Sequence, residues 1–186
     1  WDTRYFAMFN HDDRRRMVEP EDRETLFEVT VVLYYSEGTT STISVVKVKG
    51  ANQGLNVNGR TVASNATQDQ QCQYTLGHLP MLLHPEPKKV WVLGMGTGMT
   101  AGATSVHPEA ESVTIAELEK HVLPAAKTFA RYNHSFFDNP KVNIVYNDGR
   151  NFLLTTKERY DVITADPIHP WSQGSAYLYT DEYYRL

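Results

Sequence analysis

The stretch that decides the fold is residues 92–100, VLGMGTGMT, in which three glycines alternate with larger residues directly after an apolar run. Glycine lets the backbone turn sharply and approach a ligand closely. The helix predicted over 98–106 would present unpaired backbone N–H groups at its start. The pattern predicts a strand, a tight turn and a helix, and it fits a ligand-binding loop as well as a plain strand-to-helix turn.

Strands and helices alternate around this loop. Apolar runs predict strands over 89–93, 112–116, 142–146 and 160–165, with helices over 98–106, 119–132 and 149–155 between them. This alternation is typical of a parallel sheet with right-handed crossovers. A further helix is predicted ahead of the loop over 67–83, although Gly77 and Pro80 weaken its second half.

The first third of the chain has a different pattern. Residues 1–24 are polar, charged and poorly periodic, which predicts a linker or an arm rather than a packed element. Residues 26–63 carry β-rich runs, with the pair Asn58-Gly59 between two short strand candidates, and predict a small antiparallel sheet. We therefore divide the chain into an arm over 1–24, a small β-sheet over 25–64 and an α/β unit over 65–186.

Composition narrows the function classes. The 186 residues carry a formal net charge of −4, which gives no field that would recruit nucleic acid or anionic lipid. The single cysteine, Cys72, excludes an internal disulfide and fits a reducing, cytoplasmic compartment. No apolar run approaches the roughly 20 residues of a membrane-spanning helix. Neither the cysteine nor the histidines have metal-ligand spacing, so no metal is expected.

Acidic residues follow three of the predicted strands at the point where each strand ends. Glu117 lies about 20 residues beyond the glycine loop, where a carboxylate can accept both hydroxyls of a ribose. Asp148 can accept from an adenine amino group or simply cap the next helix. Asp166 precedes Pro167 in extended backbone, where it faces a cleft or caps its own loop. Because ligands bind at the carboxyl ends of parallel strands, the set predicts a nucleoside site.

From about residue 26 to the end, the chain resembles the spermidine and spermine synthases, the polyamine aminopropyltransferases. The resemblance rests on Asn58-Gly59, HLP at 78–80, HPEPKKV at 84–90, the glycine loop, Glu117, Asp148-Gly149, YDVI at 160–163, Asp166 and LYTDEYY at 178–184. The combination GxGTGxTA and DPxHPW is more similar still to spermidine-synthase-like domains that bacteria fuse to membrane segments. The resemblance implies an α/β fold with a Rossmann-like, methyltransferase-type parallel sheet preceded by a small antiparallel β-sheet, and C-terminally incomplete.

The resemblance also implies the chemistry and the residues that perform it. In the family an amine attacks decarboxylated S-adenosylmethionine beside its sulfonium and releases methylthioadenosine, without a metal. Asp166 would be the catalytic base. The residues expected to bind the cofactor are Gly94, Gly96, Thr97, Gly98, Glu117, Asp148 and Gly149. The residues expected to bind the amine are Gln68, His169 and Trp171.

Several positions depart from the family pattern. Thr97 replaces an aspartate that grips the donor's ammonium, His169 replaces a second aspartate, and Gln68, Asp69 and Cys72 replace an Asp-Glu pair and a tyrosine. An uncharged Thr97 would not repel the carboxylate of ordinary S-adenosylmethionine, so a methyltransferase is an open alternative. A non-catalytic domain of a membrane-associated protein is another. The chain starts without methionine, and we expect a piece of a longer protein, with an absent membrane tether and a homo-oligomeric assembly both open.

Overall fold

A computed structural model of the protein describes residues 3–8, 27–166 and 175–186. Two four-stranded sheets follow one another along the chain, the first antiparallel and the second parallel. The architecture confirms the predicted fold class, a small antiparallel sheet ahead of an α/β unit. Within the described ranges, no helix is long and apolar enough to cross a membrane.

The first sheet is a meander of β1 (Thr30–Glu37), β2 (Thr42–Val48), β3 (Gln53–Val57) and β4 (Arg60–Ser64), in that order. The predicted Asn58-Gly59 turn joins the last two strands. Both turn residues have positive φ, 52° and 75°, as a two-residue hairpin with the right-handed twist of its strands requires. The Asn58 side chain also accepts a hydrogen bond from the Thr42 amide, at 2.9 Å, which fixes the turn against β2.

A short helix, α1 (Thr3–Met8), packs against this sheet. Its Ala7 is fully buried, and the Ala7 carbonyl accepts hydrogen bonds from the Ser44 hydroxyl at 3.0 Å and the Asn56 amide at 2.8 Å. This differs from the expectation of an unpacked arm at these six residues. Six residues are too few to show a helical period, and the contacts that anchor the element are made by a backbone carbonyl, which every residue type supplies.

The second sheet has the spatial order β7–β6–β5–β8, built from β5 (Lys89–Leu93), β6 (Ser112–Glu117), β7 (Val142–Tyr146) and β8 (Val162–Ala165). All its pairings are parallel, as predicted. The connections carry α3 (Met99–Ser105), α4 (Val122–Lys127) with the 3₁₀ helix Phe136–Asp138, and α5 (Gly149–Thr155). The 3₁₀ helix Ala176–Tyr179 and α6 (Asp181–Tyr184) follow later. The strand order reverses at β5, so a crevice forms between the ends of β5 and β8.

The helix ahead of the parallel sheet, α2, spans Thr67–Leu83 with the predicted bounds. Pro80 lacks an N–H and so leaves the Leu76 carbonyl without its helical donor. The Thr164 hydroxyl on β8 supplies that donor at 2.9 Å. A Cβ on Gly77 would lie 2.4 Å from the Ala103 Cβ, so glycine there permits close packing of α2 on α3. The two residues expected to weaken α2 therefore serve to join it to its neighbours.

The helix predicted over 119–132 is wrong in length, because α4 covers only Val122–Lys127. From Thr128 to Tyr132 the backbone bonds join residues three apart, as in Ala130 to Lys127 at 3.2 Å. The Thr128 hydroxyl donates to the Ala125 carbonyl at 2.7 Å and so competes with a regular helical bond. His134 and Ser135 have positive φ and reverse the chain before the 3₁₀ helix.

Candidate active site

The glycine loop between β5 and α3 has the tight geometry that its sequence predicts. Gly94, Gly96 and Gly98 all have positive φ, at 77°, 52° and 81°. At Gly98 a Cβ would lie only 2.1 Å from the buried Phe136 ring. Apart from the adjoining residues, no atom of the described ranges lies within 4 Å of a Cβ built on Gly94 or Gly96, so these ranges leave open space on that side of the loop. Glycine is needed for conformation at all three positions and for packing at the third.

Glu117, the last residue of β6, braces this loop. Its carboxylate accepts hydrogen bonds from the Met95 amide at 2.8 Å and the Glu119 amide at 2.9 Å. The side chain is buried, and burial raises the pKa of this carboxyl even though the backbone donors lower it. Each carboxylate oxygen keeps acceptor capacity, so the group can also receive two adjacent ribose hydroxyls.

Thr97 is fully buried rather than exposed at the tip of the loop. Its hydroxyl donates to the Gln73 side-chain oxygen on α2, and its carbonyl accepts from the Asn133 amide at 2.8 Å. Gln73 and Asn133 are themselves buried. Thr97 therefore fastens the loop to α2 through a neutral contact and brings no charge to this part of the site.

Asp148 and Gly149 follow β7. Asp148 caps α5 by accepting from the Asn151 amide at 2.9 Å, and its second oxygen lies 3.4 Å from the Tyr177 hydroxyl. A Cβ on Gly149 would lie 2.2 Å from a methyl group of Leu93, so glycine lets α5 begin close to β5. The capping role occupies one carboxylate oxygen of Asp148 and leaves the other within reach of the Tyr177 hydroxyl.

Asp166 lies just past the end of β8, at the crevice where the strand order reverses. Burial and the nearby charge of Asp69 both raise the pKa of Asp166. Cys72, one helical turn after Asp69 on α2, is close to the same two carboxyls, and its thiol pKa is raised by burial and by Asp166 and Asp69. Within the described part of the chain, no salt bridge neutralises either aspartate. The Asp69 carboxylate accepts a hydrogen bond from the Ser64 hydroxyl at 2.5 Å, whereas Asp166 remains suited to receive a cation.

A cavity of about 260 Å³ borders Asp166 on the side of the last helices. Its walls are mainly apolar and aromatic, and Asp166 is the carboxylate among them. The lining residues are Trp91, Leu93, Ile163, Thr164, Ala165, Asp166, Leu178, Tyr179, Tyr183 and Tyr184.

The predicted residues of the glycine loop, together with Glu117, Asp148, Gly149 and Asp166, all lie at or just after strand ends on the carboxyl edge of the parallel sheet. Gln68 is exposed near the start of α2, one position before Asp69. His169 and Trp171 lie outside the described residues. Sequence reasoning named Asp69 only among the positions that replace the family's Asp-Glu pair and tyrosine, and did not assign it to the site. It also missed Gln73, because nothing in a sequence pairs a buried glutamine with a distant threonine.

An antiparallel sheet followed by a parallel sheet with a glycine loop and strand-end acids defines a Rossmann-like α/β protein. The family model described as the spermine/spermidine synthase domain matches residues 70–186. The chain therefore belongs to the spermine/spermidine synthase family.

Individual relatives agree with this assignment. The polyamine aminopropyltransferase of Aeropyrum pernix is 31% identical over 168 residues, which cover 89% of this chain and 53% of that protein. The spermidine synthase of Dictyostelium discoideum is 33% identical over 162 residues, 86% of this chain and 55% of that protein. A crystal structure of spermidine synthase in complex with the transition state analogue AdoDATO aligns with a TM-score of 0.74 at 27% identity, covering 83% of this chain and 52% of that one. The chain spans about half the length of these relatives.

Proposed function

We propose that this protein is an aminopropyltransferase that moves an aminopropyl group from decarboxylated S-adenosylmethionine to an amine. The observation that carries the proposal is Asp166, a half-buried carboxyl at the end of β8 that borders the cavity and has no cationic partner among the described residues. A protonated amine would supply the positive charge that this carboxylate lacks. The family uses decarboxylated S-adenosylmethionine as its donor, and its relatives are named for aminopropyl transfer.

The residues divide the reaction between them. Glu117 accepts the ribose hydroxyls, the glycine loop lies against the sulfonium end, and Asp148 and Gly149 form the adenine side. Asp166 orients the attacking amine and takes its proton, so that the nitrogen lone pair forms the new C–N bond as the C–S bond breaks and methylthioadenosine leaves neutral. Holding amine and donor together supplies much of the rate. In this proposal no step requires a metal.

The runner-up function is methyl transfer from ordinary S-adenosylmethionine. The observation that favours it is the neutral, buried pair Thr97–Gln73, which places no carboxylate where a donor's α-carboxylate would be repelled. A carboxylate at about 4 Å from an ammonium is worth ~4 kcal/mol at an effective dielectric near 20, before the cost of desolvation is subtracted. The lack of that contact weakens selectivity for the decarboxylated donor.

Calorimetry with methylthioadenosine tests the site. We expect the 186-residue chain to bind it and Glu117→Ala to bind at least about a hundredfold more weakly, because two hydrogen bonds to a charged acceptor are lost. Glu109→Ala, an exposed acid at the other end of the sheet, is the matched control and should bind like the unaltered protein. Equal binding by the Glu117 variant would remove the site assignment.

Product analysis by mass spectrometry separates the two activities. The protein is incubated with each donor and a panel of diamines, and we expect an aminopropylated amine from the decarboxylated donor. A methylated product from the ordinary donor would favour the runner-up, and no binding of any adenosyl compound would favour a non-catalytic domain.

We further propose that the chain consists of a small β-sheet unit over 25–64 and a cofactor-binding unit over 65–186. We also propose that the protein is cytoplasmic and assembles as a homo-oligomer. The sequence GTGMTA with Asp166-Pro167 supports kinship with the domains that bacteria fuse to membrane segments, and a membrane tether in the full-length protein would follow from it.

A further inference from the structure

The turn between β1 and β2 reaches the second sheet through Glu119. The Thr40 hydroxyl donates to the Glu119 carboxylate at 3.1 Å, although the two residues are 79 positions apart. The same carboxylate lies so close to Gly38 that a Cβ there would be 2.3 Å from it. The His121 amide donates to its other oxygen at 3.3 Å. The Glu119 side chain is therefore clamped between the hairpin and the start of α4.

Glu119 is buried and yet ionised. Burial opposes its negative charge, but hydrogen bonds from the His121 amide and from the side chain and backbone of Thr40 outweigh this effect, so that the pKa of Glu119 lies below its usual range. A buried carboxylate is costly unless such donors surround it. The first sheet supplies the Thr40 donors, and its contact with Glu119 is thus part of what makes this charge tolerable.

The backbone of the same residue points at the candidate cofactor site. The Glu119 amide donates to one oxygen of the Glu117 carboxylate at 2.9 Å, and the Met95 amide in the glycine loop donates to the other at 2.8 Å. When the side chain of Glu119 is held, its amide is held with it. Three hydrogen bonds thus link the hairpin turn to the Glu119 side chain, the Glu119 amide to the Glu117 carboxylate, and that carboxylate to the glycine loop.

We propose that Glu119 is a positioning residue through which the β1–β2 turn sets the orientation of Glu117 for the donor's ribose. The inference rests on the proposed function, since it takes Glu117 as the ribose acceptor. The first sheet then contributes to donor binding without touching the donor. Its loss would weaken binding and leave the chemical step, at Asp166, unaffected.

The test alters the hairpin and reads the distant site. In Thr40→Val the donor to Glu119 is lost, whereas Thr40→Ser keeps it. In Gly38→Ala a methyl group pushes the Glu119 carboxylate aside without removing any hydrogen-bonding group. The matched control is Tyr35→Phe, which loses a hydroxyl bonded to the exposed Glu37, at 2.9 Å, on the same hairpin. Calorimetry with methylthioadenosine gives Kd for each variant, and Tm records its folding.

We expect Thr40→Val and Gly38→Ala each to raise Kd by about fivefold, the low end of coupling between linked sites. Thr40→Ser and Tyr35→Phe should bind like the unaltered protein. Turnover with the decarboxylated donor should show a raised KM at constant kcat, which a general loss of folded protein would not produce. Unchanged binding in both Thr40→Val and Gly38→Ala, when Glu117→Ala loses it, overturns the proposal. If the unaltered protein does not bind methylthioadenosine, the proposed function itself fails instead.

Discussion

The two sides of the crevice are built on opposite electrostatic principles. On the β6 side, the Glu117 carboxylate is already held by backbone donors from Met95 and Glu119. On the β8 side, burial and the charge of Asp69 raise the pKa of Asp166, and no ion pair from the described residues offsets its negative charge. On one side the carboxylate is already held by two backbone donors, and on the other the Asp166 carboxylate has no cationic partner among the described residues.

The difference matches the two partners that we propose for the site. A ribose is neutral and needs acceptors in fixed positions, so rigidity serves it. A polyamine arrives as a cation, so a site with excess negative charge attracts it and also favours taking up its proton. The difference also explains why substitutions on the two sides should have different effects.

The largest expected effect is a fall in kcat when Asp166 is replaced. Asp166→Asn keeps the shape of the side chain but cannot accept a proton, and we expect kcat to fall by about 10²–10⁴-fold, the usual contribution of a general base. Methylthioadenosine should bind to the variant as before, because the β6 side is unaltered. Calorimetry measures the binding and steady-state kinetics measures the turnover of the same variant. Full turnover in this variant would mean that another residue is the base.

The next largest effect is a loss of stability on altering the glycine loop. Gly98→Ala forces a side chain into a positive-φ position and into the buried Phe136 ring, and these two terms together should cost about 3 kcal/mol of unfolding free energy. Denaturant unfolding measures it. Gly50→Ala is the matched control, because Gly50 has a similar φ of 74° and no atom from the rest of the described chain lies within 4 Å of the new Cβ. Strain alone should cost that variant about 1 kcal/mol. Equal losses in both variants would show that contact with Phe136 is unimportant.

The smallest effect is a change in pH dependence. Burial and Asp69 raise the pKa of Asp166, so the ionised base is lost as the pH falls through a value above that of an ordinary aspartate. In the pH profile of kcat/KM, the acid limb should therefore lie above the pKa of an ordinary aspartate. Asp69→Asn removes the nearby negative charge but leaves Asp166 as buried as before. The pKa of Asp166 should therefore fall, and the acid limb should move to lower pH. Asp138→Asn, at an exposed position on the 3₁₀ helix, should leave the profile unchanged. A fixed limb in the Asp69 variant would mean that the two carboxyls do not interact.

Local patterns accounted for most of the fold. The α2 bounds, the Asn58-Gly59 hairpin and the four parallel strands follow from hydrophobic period and turn chemistry, which act over a few neighbouring residues. The predicted helix over 119–132 failed because hydroxyl and turn contacts after Lys127 compete with regular helical bonds, and that competition has no periodic signature.

Only part of the candidate site could be predicted from such local patterns. The strand-end rule located Glu117 and Asp166, because topology alone puts strand ends together. It could not foresee that Thr97 turns inward to Gln73, that Asp69 raises the pKa of Asp166, or that Thr40 reaches Glu119. Each of these contacts joins residues far apart in the chain.

The sequence by itself determined the alternation of strands and helices, the glycine loop and the acids at the strand ends, since these depend on residue type and short spacing. Only the tertiary structure decided which of those groups are charged, buried or already bonded. The reason is physical: the pKa and the hydrogen-bonding capacity of a side chain depend on neighbours brought to it by folding. For Thr97 the sequence showed the missing charge, and the fold showed that the hydroxyl in its place is already in use.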